Sequence, residues 1–600
     1  LAWSYRLDVF ERLAAGTGPD GSFGFADKHV ALPAALVLQV VTLSAAAVVG
    51  WSGWSRQPRS AIIAVTTVLL AALVLRQGLP LIADSLAGGA DVVARERPYL
   101  QARASYSTRA YDAMRVAAGS AADTARLEDV VPWDETTLLR ALARRRPLAG
   151  APVGFAWQGE AGAPVAWGFE ELPATGTLPR WRPIALDPRQ DDPIALVERR
   201  EDAAPLPPIA VLDGGGRYAV SGDAERAIAG PRLDDAVARL AAAWGLQNPR
   251  LAFGALPSPS PTLVAVRDVR ERVQRLAPLL TPGRVVSPVV ALDSLWWVVE
   301  LYAATDRYPL SERRVFAGRE VTAAQHAGVA LVNAHTGRPL FVADASPSPL
   351  ARAWARRLQP RARTLAQLPE PLRLALPPDR DALELQGGAA ARHGSRRLDA
   401  AGYEVVLPEM GDTLAGAVPP AVWLAARGAW AATAIVVDST RTVRALLVAP
   451  GGRDRTVRLV PVDDGTRLPL VLDAMRQVLD SLRRGRGDVR RGWARVLPRA
   501  GDVALVVPLV AVRADGATTL DAVVVADARR VGVGPTALAA AGPAATGAPR
   551  PAALTADRPL LQGLYARMRA ALERGDFAAF GSAFDALGRA LGAPTDGRRP

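Results

Sequence analysis

The residue types best suited to chemistry crowd into one stretch, WWVVELYAATDRY, from Trp296 to Tyr308. Glu300 and Asp306 are carboxylates close to aromatic residues. Such a combination binds sugars, and a carboxylate pair can also serve as acid and base in glycoside chemistry. Arg307 adds a planar fork able to hold an anion. A plainer alternative is an internal Asp306 to Arg307 turn network with Trp296 and Trp297 in the core. The candidate ligand-binding residues are therefore Trp296, Trp297, Glu300, Asp306, Arg307 and Tyr308.

Other motifs carry less. The four histidines are His29, His326, His335 and His393, and no two stand at a metal-ligand spacing. His335, before Thr336 and Gly337, reads as a hairpin tip, and His29 as an interfacial residue at a membrane entrance. The chain has no cysteine, which removes disulfides, thiolate metal sites and cysteine nucleophiles. There is no G-x-S-x-G elbow. Gly532, Gly534 and Ala537 match G-x-G-x-x-A, but Pro535 and the missing βαβ context make a turn the better reading. Gly214 to Gly216 likewise read as a turn. The sequence therefore assigns no catalytic, cofactor-binding or metal residue, and no cofactor is expected.

The elements that must position these residues begin in a membrane. Residues 30–50 are an uncharged apolar run of 21 residues, close to the roughly 20 that cross a hydrocarbon core. A second apolar run spans 61–82, interrupted by Arg76, which is expected to snorkel towards the far interface. Between them, 51–60 carries Arg56 and Arg59 without an acid, with Trp51 and Trp54 at head-group depth. The positive-inside rule places this loop in the cytoplasm and both flanks outside, although Arg6, Arg12 and Lys28 lie on the first flank. The expected order is an external loop at 1–29, the two spans, a helical connector at 83–145, a mixed α/β external region at 146–534, an Ala/Pro/Gly linker at 535–556 and a helical hairpin at 557–593. Irregular alternation of strands and helices favours a mixed α+β domain over a doubly wound sheet. In the C-terminal pair, Leu560, Leu564, Met568 and Leu572, then Phe577, Phe580, Phe584 and Leu587, each form one apolar stripe that docks either on its own domain or on a partner.

Net charge is +13 in 600 residues, with Lys28 the only lysine. Dispersed arginines interleaved with acids speak for solvation, and a face for an anionic envelope polymer is the alternative. No nucleic acid is expected as a partner.

Several segments resemble the bacterial uncharacterised protein family 0182. They are Asp27 to Pro33; Glu96, Pro98 and Tyr99 (E-x-P-Y); Trp133, Asp134, Leu138 and Leu139; RDVRERVQRLAPLL from Arg267; SLWWVVELYAATDRYPLSER from Ser294; VNAHTGRPLFVAD; SPLARAWARRLQP; and the C-terminal pair. The resemblance implies a multi-pass plasma-membrane protein with a large extracytoplasmic domain, of which upstream helices are missing here, since the chain opens at Leu1. Arg103 stands where the family usually has Asn, and its H-x-x-Y-T-H-G-Y-G stretch has no counterpart between 150 and 205. The family brings no activity. The resulting expectation is an envelope protein that binds or organises another envelope component, with an envelope-polymer enzyme using Glu300 and Asp306 as the alternative.

Overall fold

A computed structural model describes residues 2–14, 16, 23–75, 92–143, 154–173, 178–190, 204–222, 228–357, 362–394, 402–407, 421–463, 465–484, 489–512, 518–542, 558–574 and 576–590. The N-terminal part is helical: α1 (Ala2–Ala14), α2 (Leu32–Ser55) and α3 (Pro58–Leu73). One π-type turn, Asp27–Ala31, leads into α2, so helix runs unbroken from Asp27 to Ser55, 29 residues with mean hydropathy 2.1 in its most apolar window. Pro33 lies where the π-type turn passes into α2. Arg56 ends the helix in a left-handed cap at φ 54°. Pro58 then opens α3.

Only 17% of the most apolar part of the long helix is buried. Leu36, Val37, Val40 and Leu43 point outward from α2, as do Ile62, Ile63, Leu69 and Leu70 from α3. Trp51 and Trp54 are exposed in the last turns of α2 instead of a loop, and Arg59 lies in the first turn of α3. Among the described residues one helix is long and apolar enough to cross a membrane, and α3 is shorter. Arg76 and the apolar residues up to Ile82 lie outside the described residues, as do residues 543–556 of the linker expected at 535–556, whose described part instead forms a short helix, Ala537–Ala540, capped by Thr536.

The remainder is a mixed α/β, sheet-rich domain. After α4 (Val92–Ala110) and a run of short 3-10 turns, a first large sheet contains β1 (Thr281–Ala291), β2 (Ser294–Thr305), β3 (Ala323–Asn333) and β4 (Pro339–Ala343) as antiparallel neighbours. Asn333 starts the β3–β4 turn by accepting the backbone N–H groups of His335 and Thr336, and Gly337 supplies the positive φ. A second sheet is built on β5 (Ala429–Val437), β6 (Val443–Pro450) and β7 (Arg458–Pro461). A third holds β8 (Arg495–Arg499), β9 (Asp502–Val512) and β10 (Thr518–Ala526). α5 (Leu468–Arg484) lays Val471, Met475 and Leu479 into the core that these last two sheets share. At the C-terminus α6 (Arg558–Glu573) and α7 (Phe577–Ala590) pack on each other. Leu564 is buried, while Leu572, Phe577 and Phe584 remain exposed.

β2 positions the site. Its sequence SLWWVVELYAAT is almost continuously apolar, the pattern of a strand covered on both faces. Trp297, Val299, Leu301 and Ala303 enter a core with Val269 and Val273 of the helix Val269–Leu276. Val298 faces the other way, against Leu368 and Leu372. Because side chains alternate across a strand, Glu300 and Tyr302 share the Val298 face, and Trp297 points away from it.

A buried charge cluster between the first two sheets

Glu300, His326 and Asp379 meet where the first sheet approaches the second. Glu300 is on β2, His326 on the neighbouring β3, and Asp379 caps a short helix by accepting the Ala382 N–H at 2.9 Å. Register breaks lie on both sides of Glu300. On β3, His326 pairs with Tyr302 and Gly328 with Leu301, which leaves Ala327 as the extra residue of a bulge. On β1 the register slips between Pro282 and Val286. Bulges re-aim side chains and concentrate next to functional sites. Two glycines permit the close packing: a Cβ on Gly283 would stand 2.7 Å from Asp381 Oδ2, and one on Gly328, at φ 146°, would stand 2.1 Å from the Val342 carbonyl.

The polar contacts are dense. His326 Nε2 lies 3.1 Å from Glu300 Oε2 and 3.6 Å from Asp379 Oδ2, while Nδ1 lies 2.7 Å from Asp344 Oδ2. Arg455 forks onto Glu300, Nη1 donating to Oε2 at 3.2 Å and Nη2 to Oε1, and Nη2 also donates to the Pro377 carbonyl at 2.9 Å. Arg115 holds Asp344 through two bonds of 2.6 and 2.7 Å. The Tyr302 hydroxyl donates to Asp379 at 2.7 Å. Glu300, Tyr302 and Asp379 are buried, and the His326 side chain keeps 13% of its exposure.

Burying ions costs several kcal/mol each unless they are paired, so the balance of partners sets each charge state. For His326, burial opposes the imidazolium, but hydrogen bonds to Asp344 and Glu300 and the charge of Asp379 outweigh it and push the pKa up to about 10. Burial also works against ionised Glu300, yet Arg455 and His326 hold its carboxyl below the ordinary value. Asp344 is held far down by His326 and Arg115 despite burial. Asp379 goes the other way: burial and the Glu300 charge push it up to about 6. The cluster is thus a set of ionised partners with one carboxylate close to its switching point.

A second buried acid, Glu312, is organised differently. It faces Arg314, Arg392 Nη1 at 3.1 Å and His393 Nε2 at 2.9 Å. Its backbone N–H donates to Ser107 Oγ at 2.9 Å, and its carbonyl accepts the Tyr111 hydroxyl at 2.9 Å. The Arg314 guanidinium lies 4.8 Å from the centre of the Tyr111 ring. Burial raises the Glu312 carboxyl, but His393, Arg314 and Arg392 overcome it and bring it down to about 2.

The residues singled out from sequence do not converge on one place. Glu300 is in the buried cluster. Trp297 is buried on the opposite face of β2, its indole N–H donating to the Val211 carbonyl at 2.8 Å. Trp296 is partly buried against the Val298 side. Asp306 and Arg307 stand 4.0 Å apart with side chains 73% and 78% exposed. They line a groove of about 550 Å³ whose other wall is α1, with Leu7, Phe10 and Leu13. Tyr308 is partly buried, its N–H donating to Thr322 Oγ1 at 2.7 Å. His326, Asp379, Asp344 and Arg455 carried no signal in sequence, because the partners lie 18 to 155 residues from Glu300 or from one another. The only local hint was the polar residues Glu300 and Tyr302 inside an apolar strand.

A chain with an apolar helical N-terminus followed by a sheet-rich mixed domain is the class the fold defines. The model of the family described as Uncharacterised protein family (UPF0182) matches residues 1–138 and 225–389, just over half of the chain, and the chain belongs to that family. A UPF0182 protein of Mycobacterium tuberculosis is 29% identical over 139 residues, which is 21% of this chain and 14% of that relative. One from Synechococcus sp. (strain JA-3-3Ab) is 30% identical over 136 residues, 22% of this chain and 16% of the relative. One from Nocardioides sp. is 27% identical over 124 residues, 18% of this chain and 12% of the relative. The alignments thus span well under a fifth of the length of each curated relative. No solved structure matches the fold. Glu300, His326, Asp344 and Asp379 lie within the family-matched segments, and Arg455 and Arg392 lie beyond them.

Proposed function

We propose that the chain is a membrane-anchored envelope protein, multi-pass in its full form, whose large sheet domain stands outside the cytoplasm and binds or organises another envelope component. The observation that carries this is the uncovered apolar surface of α2 and α3. Each large apolar side chain left in water forgoes about 1.5–3 kcal/mol, and outward-facing Leu36, Val37, Val40, Leu43, Ile62, Ile63, Leu69 and Leu70 are all left so unless lipid covers them. A helix that is apolar all round and not covered by protein is suited to a bilayer. Arg56 and Arg59 at the α2–α3 junction supply the positive charge that retains a turn in the cytoplasm. Tyr99 and Glu96 of α4 reach the entrance of α2: the Tyr99 hydroxyl is 3.1 Å from His29 Nε2, and Glu96 Oε1 accepts the Phe25 N–H at 3.1 Å. The domain would therefore sit close to the outer membrane face, with an envelope protein or anionic polymer as its partner.

The enzyme alternative needs two carboxylates facing each other across a cleft. Glu300 is buried under Arg455, and Asp306 is on the surface beside Arg307, so that pair lends it no support.

The absence of cysteine makes the topology directly testable. With Gln57→Cys and Ser481→Cys in separate full-length chains, an impermeant thiol reagent on intact cells should label position 481 and spare 57. Labelling at 57 but not at 481 would overturn the proposal. In-cell crosslinking from the large domain then identifies the partner.

A further inference from the structure

We infer that Glu300, His326 and Asp379 form a binding site for one divalent first-row transition-metal ion, with Asp344 as the outer residue that orients His326. The inference is independent of the membrane topology. One ligand atom from each of the three residues lies within 4.8 Å of the other two. Ligands bound at about 2.0–2.2 Å to one ion can be no more than about 4.4 Å apart, so a small contraction of side chains is enough to close the shell.

The outer contacts are those a metal site requires. A ligating imidazole usually gives its second nitrogen to a carboxylate, which fixes ring orientation and tautomer. Here Nδ1 is 2.7 Å from Asp344 Oδ2, which Arg115 anchors in turn, and Nε2 is left facing Glu300 and Asp379. Ligating carboxylates are themselves hydrogen-bonded. Arg455 secures both oxygens of Glu300, of which Oε2 also faces His326, while Tyr302 and the Ala382 N–H secure Asp379. Two ligands come from adjacent strands, with a bulge at the histidine, so the scaffold is rigid and locally re-aimed.

The donor set selects the ion. One imidazole nitrogen with two carboxylate oxygens suits Zn²⁺, Mn²⁺ or Fe²⁺, whereas Mg²⁺ and Ca²⁺ prefer all-oxygen shells, and no thiolate is present to favour Cu(I). Binding would exchange the proton held between His326 and the two carboxylates for a cation that all three ligands share. The ion would tie β2 and β3 of the first sheet to the segment before Ala382, and through Arg455 to the loop between β6 and β7.

The test uses the full-length chain in detergent, stripped with EDTA and titrated separately with Zn²⁺ and Mn²⁺ by calorimetry, with elemental analysis for stoichiometry. One ion per chain should bind and raise the melting temperature. His326→Gln and Asp379→Asn should abolish binding, and Asp344→Asn should weaken it by about 10–100-fold. His29→Gln and His393→Gln, which contribute no ligand atom to this group, should bind as the unaltered chain does. Circular dichroism confirms that each variant is folded. If the unaltered chain takes up neither ion stoichiometrically, the inference fails whatever the variants do, and it fails equally if folded His326→Gln binds with unchanged affinity.

Discussion

Two buried acids lie about one strand apart in sequence, and their surroundings divide them. Glu312 is one carboxylate facing three basic side chains, Arg314, Arg392 and His393. Glu300 shares its surroundings with two further carboxylates, Asp379 and Asp344, and what separates Glu300 from Asp379 is the His326 ring. In the first cluster the chain supplies cations in excess of its anion, so the group is closed and serves the fold. In the second, Arg455, Arg115 and His326 already match the three carboxylates, but Glu300 and Asp379 converge on one imidazole nitrogen, where the proposed ion would take the place of a proton. The burial of a charge therefore does not by itself mark a site; the convergence of two carboxylates on one imidazole nitrogen does.

The strongest way to break this comparison is to neutralise the closed cluster. Glu312→Gln leaves Arg314 buried without its counter-ion, and breaking a buried pair on one side costs about 3–5 kcal/mol. Urea unfolding followed by tryptophan fluorescence should show a loss of that size with metal uptake unchanged. A loss of metal uptake in a folded Glu312→Gln chain would mean that the two clusters are one unit.

Acid should act on the same group. The Glu312 carboxyl is lowered from 4.5 to about 2 in the folded chain. A depressed carboxyl stabilises above its unfolded value, and the contribution disappears as pH falls from about 5 towards 2; at 1.36 kcal/mol per unit this amounts to about 3 kcal/mol. The melting temperature of the unaltered chain should fall over that window more steeply than that of Glu312→Gln. Parallel curves would show that Glu312 is not the group responsible.

Smaller effects are expected from trimming the second cluster. Tyr302→Phe removes one hydrogen bond to Asp379, worth about 1.5–3 kcal/mol for a bond to a charged group. A chain less stable by that amount would keep the aromatic packing against Phe316, at 4.9 Å between ring centres. The smallest effect belongs to Asp306→Ala, since an exposed pair of this kind contributes at most about 0.5 kcal/mol. A larger loss would show that the groove against α1 holds Asp306 in a way its exposure does not suggest.

Much of the architecture was legible in the chain. The uncharged run from Val30 marked α2, the apolar run of β2 marked a strand covered on both sides, and Asn333 to Gly337 marked a tight turn. Boundaries shifted for local reasons: Arg56 adopts the left-handed cap that ends α2 after both tryptophans, and Pro58 starts the next helix at once. The candidate site was far less legible. Reading Trp296, Trp297 and Glu300 as one patch ignored the alternation of a strand, which sends Trp297 to the opposite face from Glu300. Histidine spacing could not expose His326, because its partners come from β2, from the end of β4 and from a cap before Ala382. Topology alone brings these together. The well-matched block after Arg267 likewise carries structure: Arg272 donates to the carbonyls of Gly337, Val266 and Ala229 at 2.7, 2.8 and 3.1 Å.

Tyr111, the first residue after α4, hydrogen-bonds the carbonyls of Glu312 and Val321, 201 and 210 positions later in the chain. At a synthesis rate of about 5–20 residues per second, those acceptors emerge roughly 10–40 s after the tyrosine does. Contacts of such long sequence separation also slow folding, because a long loop must close before they form. The segment after α4 therefore completes these contacts only after a further third of the chain has been made.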